Sequence, residues 1–242
     1  MAFIVLLISF SGTPVRQDSP GKYMVIWNVG QGQWATAVTP DRCLHFDLGG
    51  EFFPLKKISQ TCGRKKNQAF LSHADWDHLS ALKKLKSGRI LPKFCIAQMP
   101  KVIASKQKNI LLNFFPNCAH KLVSPEVQIY QSHSTKSAND ASNVFGYDKF
   151  LLPGDSTRSQ EILWKDLAWA SKSKVLVLGH HGSNTSTSPE LLAQLQDLKW
   201  AISSARWARY HHPSSQVVSL LRKSRVPMLK TEDWGNIWYR LE

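Results

Sequence analysis

The chain has 242 residues, with 31 Lys and Arg against 17 Asp and Glu, a formal net charge of +14, and 43% hydrophobic and 20% charged residues. That length buries a full core and favours one large domain, and the composition excludes a disordered, collagen-like or cysteine-stapled miniature chain. No apolar run approaches the roughly 20 residues that span a bilayer, so no integral membrane span is expected; the basic surplus instead favours a polyanionic partner such as nucleic acid.

In chain order, the first feature is a short apolar run, Ala2 to Ile8 extended by Phe10, with the small residues Ser9, Ser11 and Gly12 behind it. It reads as the apolar stretch of a secretory signal without the usual preceding Lys or Arg; an extra edge strand is the alternative. Export to the periplasm or outside the cell is one expectation, and residence in the cytoplasm the other. Thr13 to Lys22, with Pro14, Pro20 and Gly21, reads as a linker, so residues 1–22 are set apart from a single domain over 23–242. Short β-prone runs follow at Tyr23 to Val29, Trp34 to Thr39 and Cys43 to Asp47, punctuated by Gly30-Gln31-Gly32 and Pro40-Asp41 in the manner of a meander. A strand over Gln68 to Ser72 leads into a helix bearing Leu79, Leu82 and Leu85, and a further strand spans Phe94 to Gln98. Ser105 to Pro116 fits neither pattern cleanly. Strands are expected again at Glu126 to Ser132, Asn143 to Tyr147 and Lys149 to Leu152, then a helix over about Arg158 to Ser171. Lys174 to Leu178 is a strand, and Ser188-Pro189-Glu190 opens a helix with a capping serine and a proline in the first turn. A strand at Trp200 to Ser203, a helix at Ser214 to Lys223 and strands near Val226 to Leu229 and Gly235 to Tyr239 complete the chain. Strands thus alternate with single helices twice over, which predicts an α/β (α+β) fold built as a four-layer αββα sandwich.

Two residue types are suggestive without being diagnostic. Cys43, Cys62, Cys95 and Cys118 have no paired short spacing, which argues against a zinc knuckle; three lie in or beside apolar runs and read as buried thiols. Nine Trp are many for this length. Most are expected in the core, with Trp76 the one placed to stack on an unpaired base.

The densest chemistry lies in Ser72-His73-Ala74-Asp75-Trp76-Asp77-His78, where His73, Asp75, Asp77 and His78 fall within six positions. Alternation along an extended or turned segment aims His73 and Asp75 at one cation, and Asp77 and His78 can reach a second beside it. Imidazole and carboxylate suit borderline and hard divalent metals, and a pair of such ions is a standard device for hydrolysing phosphate esters and amides. A helix cap would need one such residue rather than four.

Later segments add candidates. Leu152-Pro153-Gly154-Asp155 ends a strand in a Gly-Asp turn whose carboxylate has two oxygens to bridge two cations, though alone it is a common turn. Gly179-His180-His181-Gly182-Ser183 puts adjacent histidines at the open end of a strand, one to ligate a metal and the other to face substrate. Tyr210-His211-His212-Pro213 precedes a helix, where His212 suits a phosphate or leaving-group contact. Asp47, before Gly49-Gly50, reads as a hydrogen-bond partner that orients a ligand. Six of the nine histidines lie in these sites.

The order of these motifs resembles the metallo-β-lactamase fold superfamily and, more narrowly, the hydrolase domain of ComEC-type DNA-uptake competence proteins, from about Tyr23 to the end. Asn28 to Gly32 is similar to that family's opening strand and turn, Phe46 to Gly50 to its first aspartate motif, and Ser72 to His78 to its metal loop, in which Asp75 stands where the superfamily has a second histidine. Asn139 to Val144 resembles the family's Asn-rich segment, and Leu152 to Asp155, Gly179 to Ser183 and Tyr210 to Pro213 match its Gly-Asp, His-His-Gly-Ser and His-Pro motifs. Asn28 and Gln33 depart from acidic residues usual in the family's first turn. The resemblance implies two divalent ions, Mn or Zn, held by His73, Asp75, Asp77, His78, Asp155 and His181, with Asp47 and Asn139 as additional or supporting ligands. It implies catalytic roles for Asp77, His180 and His212, and substrate contacts from His180, His212 and Ser183. The expected activity is that of a metal-dependent hydrolase, a two-metal phosphodiesterase or nuclease acting on DNA, single-stranded by preference. Hydrolysis of another phosphoester on the same site, or non-catalytic nucleic-acid binding, are the alternatives. The family's membrane channel has no counterpart here, so a functional link to a DNA-uptake system is expected rather than transport itself.

Overall fold

Alternating side chains along each strand sort the apolar residues into three separate cores. The structure, a computed structural model, describes residues 21–103, 105–119 and 124–241; the apolar N-terminal run falls outside the described residues. The first sheet has the order β12-β1-β2-β3-β4-β5, built from β1 (Tyr23–Ile26), β2 (Ala35–Val38), β3 (Arg42–Phe46), β4 (Lys66–Phe70), β5 (Phe94–Gln98) and the last strand, β12 (Ile237–Arg240). The second runs β11-β10-β9-β8-β7-β6, from β6 (Val127–Tyr130), β7 (Val144–Tyr147), β8 (Phe150–Leu152), β9 (Val175–Val177), β10 (Trp200–Ser203) and β11 (Met228–Lys230).

Met24 and Ile26 of β1 join Phe46, Phe70, Phe145, Phe150, Val175 and Val177 between the two sheets. Val25 packs on the opposite face, with Ile58, Leu79, Leu82 and Leu112 from the helices covering the first sheet. Leu151 and Leu176 turn outward from the second sheet to meet Trp164, Leu191, Val217 and Leu221. Three cores separate four layers, and the sandwich expected from sequence is the one observed.

The covering helices are α1 (Leu55–Cys62), α2 (Trp76–Leu79), α3 (Leu82–Leu85) and α4 (Lys106–Asn113) on one side. On the other are α5 (Arg158–Trp164), α6 (Ala168–Ser171), α7 (Pro189–Gln194) and α9 (Ser215–Lys223), with two single turns, α8 (Trp207–Tyr210) and α10 (Thr231–Trp234). The ambiguous segment after Ser105 is a helix, whose N-terminus Ser105 caps through the Lys108 N–H. The long helix expected over Arg158 to Ser171 is broken into α5 and α6, with extended backbone at Leu167. Among the described residues no helix is long and apolar enough to cross a membrane.

The cysteines correct the sequence reading. They are not thiols: Cys43 is bonded to Cys62 and Cys95 to Cys118. The first bond ties α1 to β3, and the second ties the edge strand β5 to the segment after α4. The partners are 19 and 23 residues apart, and closing a loop of that size stabilises a fold by about 3 kcal/mol in the chain-entropy account. The double substitution Cys95→Ser/Cys118→Ser is therefore expected to lower the melting temperature by roughly 5–10 °C, as measured by calorimetry, with the fold retained.

Candidate metal centre

The candidate side chains gather where the C-terminal ends of β3, β4, β8 and β9 meet. Asp47 follows β3 with its backbone in the left-handed region (φ 56°) and is fully buried. Its Oδ1 accepts the Ser72 N–H at 2.8 Å, and its Oδ2 accepts the Ser72 hydroxyl at 2.7 Å and the Gln33 amide at 3.1 Å. His78 Nδ1 lies 2.7 Å from the same Oδ2. Gly49 lets this loop lie directly on α2, because a Cβ there would fall 2.2–2.3 Å from the Asp77–His78 peptide. Gly154, at φ +55°, likewise lets the Asp155 turn lie against Ser72, where a Cβ would fall 2.5 Å from the Ser72 side chain.

Protons can be assigned by elimination. Ser72 has a single hydroxyl proton, which goes to Asp47, so at the 3.0 Å contact with Ser72 Oγ it is His73 Nδ1 that donates. His181 Nδ1 lies 3.0 Å from the Ser204 carbonyl, which only accepts. His78 Nδ1 faces a carboxylate. All three rings therefore hold their proton on Nδ1 and turn Nε2 inward. His78 Nε2 and His181 Nε2 are 3.3 Å apart, close to the separation of about 3.3 Å between two nitrogens each about 2.05 Å from a tetrahedral ion.

Asp155 lies between two sets of these groups. Its Oδ1 is 3.0 Å from His78 Nε2 and 3.9 Å from His181 Nε2, while Asp77 Oδ2 is 3.2 Å from His181 Nε2. Its Oδ2 is 3.7 Å from His73 Nε2 and 3.6 Å from His180 Nε2, with Asp75 Oδ2 3.6 Å from His73 Nε2. His73 Nε2 and Asp155 Oδ1 are buried without a hydrogen bond; the short approach of His78 to that oxygen is a charge contact, not an aligned hydrogen bond. Asp77, His78, Asp155 and His181 together could hold a metal ion, their ligand atoms all lying within 4.8 Å of one another. Inward lone pairs, carboxylates and unpaired buried atoms are a donor set that fits divalent cations.

Without a cation, a proton on His78 supplies the positive charge that these carboxylates demand, and a metal ion would take its place. Burial would raise the Asp155 carboxyl, but His78, His181 and His73 outweigh it and hold its pKa well below the usual range. Burial would lower His78, yet the flanking Asp155 and Asp47 carboxylates hold it well above an ordinary histidine. His73 is pushed down to about 4 by burial and then by His78, which leaves it neutral at pH 7. Burial also opposes ionisation of Asp77, but the neighbouring His181 and His78 rings depress its pKa.

The other expected residues are placed less uniformly. His180 and His181 both adopt left-handed backbone (φ 49° and 58°), a cost of about 1 kcal/mol or more each, and this splays their rings apart. His180 Nδ1 meets Thr185 Oγ1 at 2.9 Å. His212 lies with its ring 6.2 Å from that of His180. Ser183 is buried, its hydroxyl within 3.0 Å of Thr185 Oγ1 inside the turn. Asn139 sits half-buried, its backbone carbonyl accepting from Ser142. The residue of that segment that reaches the metal loop is Asn143, which bonds the Ser72 carbonyl through its N–H and the Leu71 and Met99 carbonyls through its amide. Ser72, Asn143, Ser204 and Lys108 are supporting residues that the sequence reading passed over. Lys108 Nζ meets Asp75 Oδ1 at 3.0 Å, a long-range pair with no sequence signature. Trp76 is half-buried, its face covered by Lys83 Nζ at 3.7 Å, so it is not open for stacking.

The architecture has clear counterparts among solved structures. It superposes on the metallo-β-lactamase fold protein YhfI of Bacillus subtilis with a TM-score of 0.59 at 11% identity, over 91% of this chain and 100% of that one. The chain has the metallo-β-lactamase fold. Zn(2+)-bound PqqB of Methylobacterium extorquens, a metallo-β-lactamase-fold neighbour here, gives a TM-score of 0.53 at 10% identity over 91% of this chain and 100% of that one. No protein-family model matches the chain. Its sequence is similar to ComE operon protein 3 of Bacillus subtilis (strain 168), 30% identical over 190 residues, which is 70% of this chain and 24% of that protein. It is also similar to competence protein ComA of Neisseria gonorrhoeae, 26% identical over 98% of this chain and 35% of that protein. The chain thus spans about a quarter to a third of the competence proteins it resembles.

Because Asp47 holds His78, Ser72 and Gln33 at once, Asp47→Ala in this metallo-β-lactamase fold should weaken divalent-metal affinity by about 10- to 100-fold. Competition against a chromophoric chelator measures this, and unchanged affinity would remove Asp47 from the support of the site.

Proposed function

We propose that the protein is a metal-dependent phosphodiesterase that hydrolyses DNA, using two divalent cations. The observation that carries this reading is the Asp155 carboxylate, buried, with one oxygen toward His78 and His181 and the other toward His73. In this reading His73, Asp75 and Asp155 hold one cation, and Asp77, His78, His181 and Asp155 hold the other. When bound, such cations lower the pKa of water and polarise phosphoryl oxygens. Asp77, on the open side, orients the attacking water. His180, with Nδ1 held by Thr185 and Nε2 facing the site, donates to the leaving oxygen. Burial, followed by the charges of His181 and His180, lowers the His212 pKa, so it serves as a neutral hydrogen-bond donor to phosphate. The +14 charge and the similarity to competence proteins support DNA as the substrate and a link to DNA uptake. Two disulfides support export, since such bonds persist mainly in oxidising compartments.

Incubation of the purified protein with labelled single- and double-stranded DNA, with Mn²⁺, Mg²⁺ or Zn²⁺ and an EDTA control, tests the reading. Metal-dependent cleavage that EDTA abolishes is expected. Asp75→Ala should reduce it to background while circular dichroism stays native, and wild-type turnover would remove Asp75 from the ligand set. Cleavage of another phosphoester but not DNA, or DNA binding without any cleavage, would replace the proposal.

The ligand shell also bears on the metal. Asp75, Asp77 and Asp155 match His73, His78 and His181 in number, which is oxygen-rich for a dizinc site and favours a harder ion. Mn²⁺ is expected to support faster DNA hydrolysis than Zn²⁺ at saturating metal, although zinc binds more tightly in most such sites. If Zn²⁺ restores full activity to metal-free protein and Mn²⁺ restores none, that assignment is wrong.

A further inference from the structure

Single exposed aromatic rings are ordinary, but several beside a polar site call for an explanation. Ser204, whose carbonyl holds His181, lies two residues before Arg206, so α8 starts at the edge of the metal centre. Trp207 and Tyr210 on this turn are 54% and 38% exposed, and Trp234 on α10 is 67% exposed. The two turns are joined by the Trp207 N–H, which donates to Glu232 Oε2 at 3.0 Å. Trp207 packs edge-on to His211 with ring centroids 5.2 Å apart, and the next residue, His212, neighbours His180, whose Nε2 is 3.6 Å from Asp155. A line of rings therefore leads from solvent to the bridging carboxylate.

Charge accompanies the rings. Arg209 lies 5.2 Å from the Tyr210 ring centroid, and both Arg206 and Arg209 bond the Glu51 carboxylate, so two guanidinium groups stand beside the rings. Exposed rings accept the face of any base, and guanidinium groups accept the phosphates between them. A duplex hides its base faces. We propose that the rim formed by Trp207, Tyr210 and Trp234, with Arg209, is a stacking platform for an unpaired nucleic-acid strand and delivers its backbone to His212, His180 and Asp155. This rests on the DNA-hydrolase reading and adds the residues that set its strand preference.

The test is fluorescence anisotropy on the full chain with Mn²⁺, using a labelled phosphorothioate oligothymidine that resists cleavage and a duplex of the same linkage. Trp207→Ala and Trp234→Ala should each weaken single-strand binding by about 5- to 100-fold, with duplex affinity shifted less than about twofold. Trp200→Ala, which removes a ring 40% exposed at the opposite end of β10, should leave both unchanged. Melting temperatures within a few degrees of wild type show that the variants fold. If wild type binds and cleaves DNA but both rim variants bind single strands normally, the platform is wrong and the hydrolase reading stands. Equal losses for single strand and duplex would also overturn the platform. If wild type neither binds nor cleaves either form of DNA, the substrate reading falls and the platform with it.

Discussion

The first-sheet side of the candidate metal centre is arranged around the buried carboxylate of Asp47. It has no solvent contact and is bonded by the Ser72 amide and hydroxyl, the Gln33 amide and the His78 ring. A buried charge is tolerable only when fully bonded, and satisfying this one draws three separate segments to one point. The left-handed backbone at Asp47, the bare approach of Gly49 to α2 and the inward-facing nitrogens of His73 and His78 all follow from that demand. The loop from Ser72 to His78 is thus shaped from behind, by Asp47 and Gln33.

The second sheet contributes differently. Asp155 and His181 come from turns after β8 and β9, and each is fixed through a neighbour: Ser142 Oγ accepts the Asp155 N–H, and the Ser204 carbonyl holds His181. Buried Glu161 accepts the Thr187 and Ser188 N–H groups, closing the far side of the turn that carries the two histidines. The cost of two consecutive left-handed residues is borne by this bonding, and the result is that His181 enters the cluster while His180 faces its open side.

What could be read from sequence and what could not divides along a physical line. The candidate ligands of the Ser72–His78 loop announce themselves because their spacing is local, and strands such as Phe94–Gln98 and Trp200–Ser203 because their apolar runs are. Their supports do not, since Ser72 lies 25 residues from Asp47, Leu71 lies 72 from Asn143, and Asp75 lies 33 from Lys108. Asn143 is the residue of its segment that bonds the Ser72 and Leu71 carbonyls, because register, not composition, decides which amide turns inward. Helix α1 buries only Ile58 and Cys62, one turn apart, too little for a periodic signal. The cysteine pairs sit on elements brought together only by the sheet, so no spacing rule exposes them.

Both disulfides fall between residues 43 and 118, and none reaches the second sheet. As the chain emerges from its N-terminus, each cross-link can close before β6 has been made. Yet β1 pairs on its outer side with β12, the last strand of the chain, across the register Tyr23 with Arg240. Two disulfides can thus hold part of the first sheet while β1 still lacks its outer partner, its backbone groups open to another strand. Part of that sheet is held by covalent bonds, and its β1 border by a strand distant in sequence.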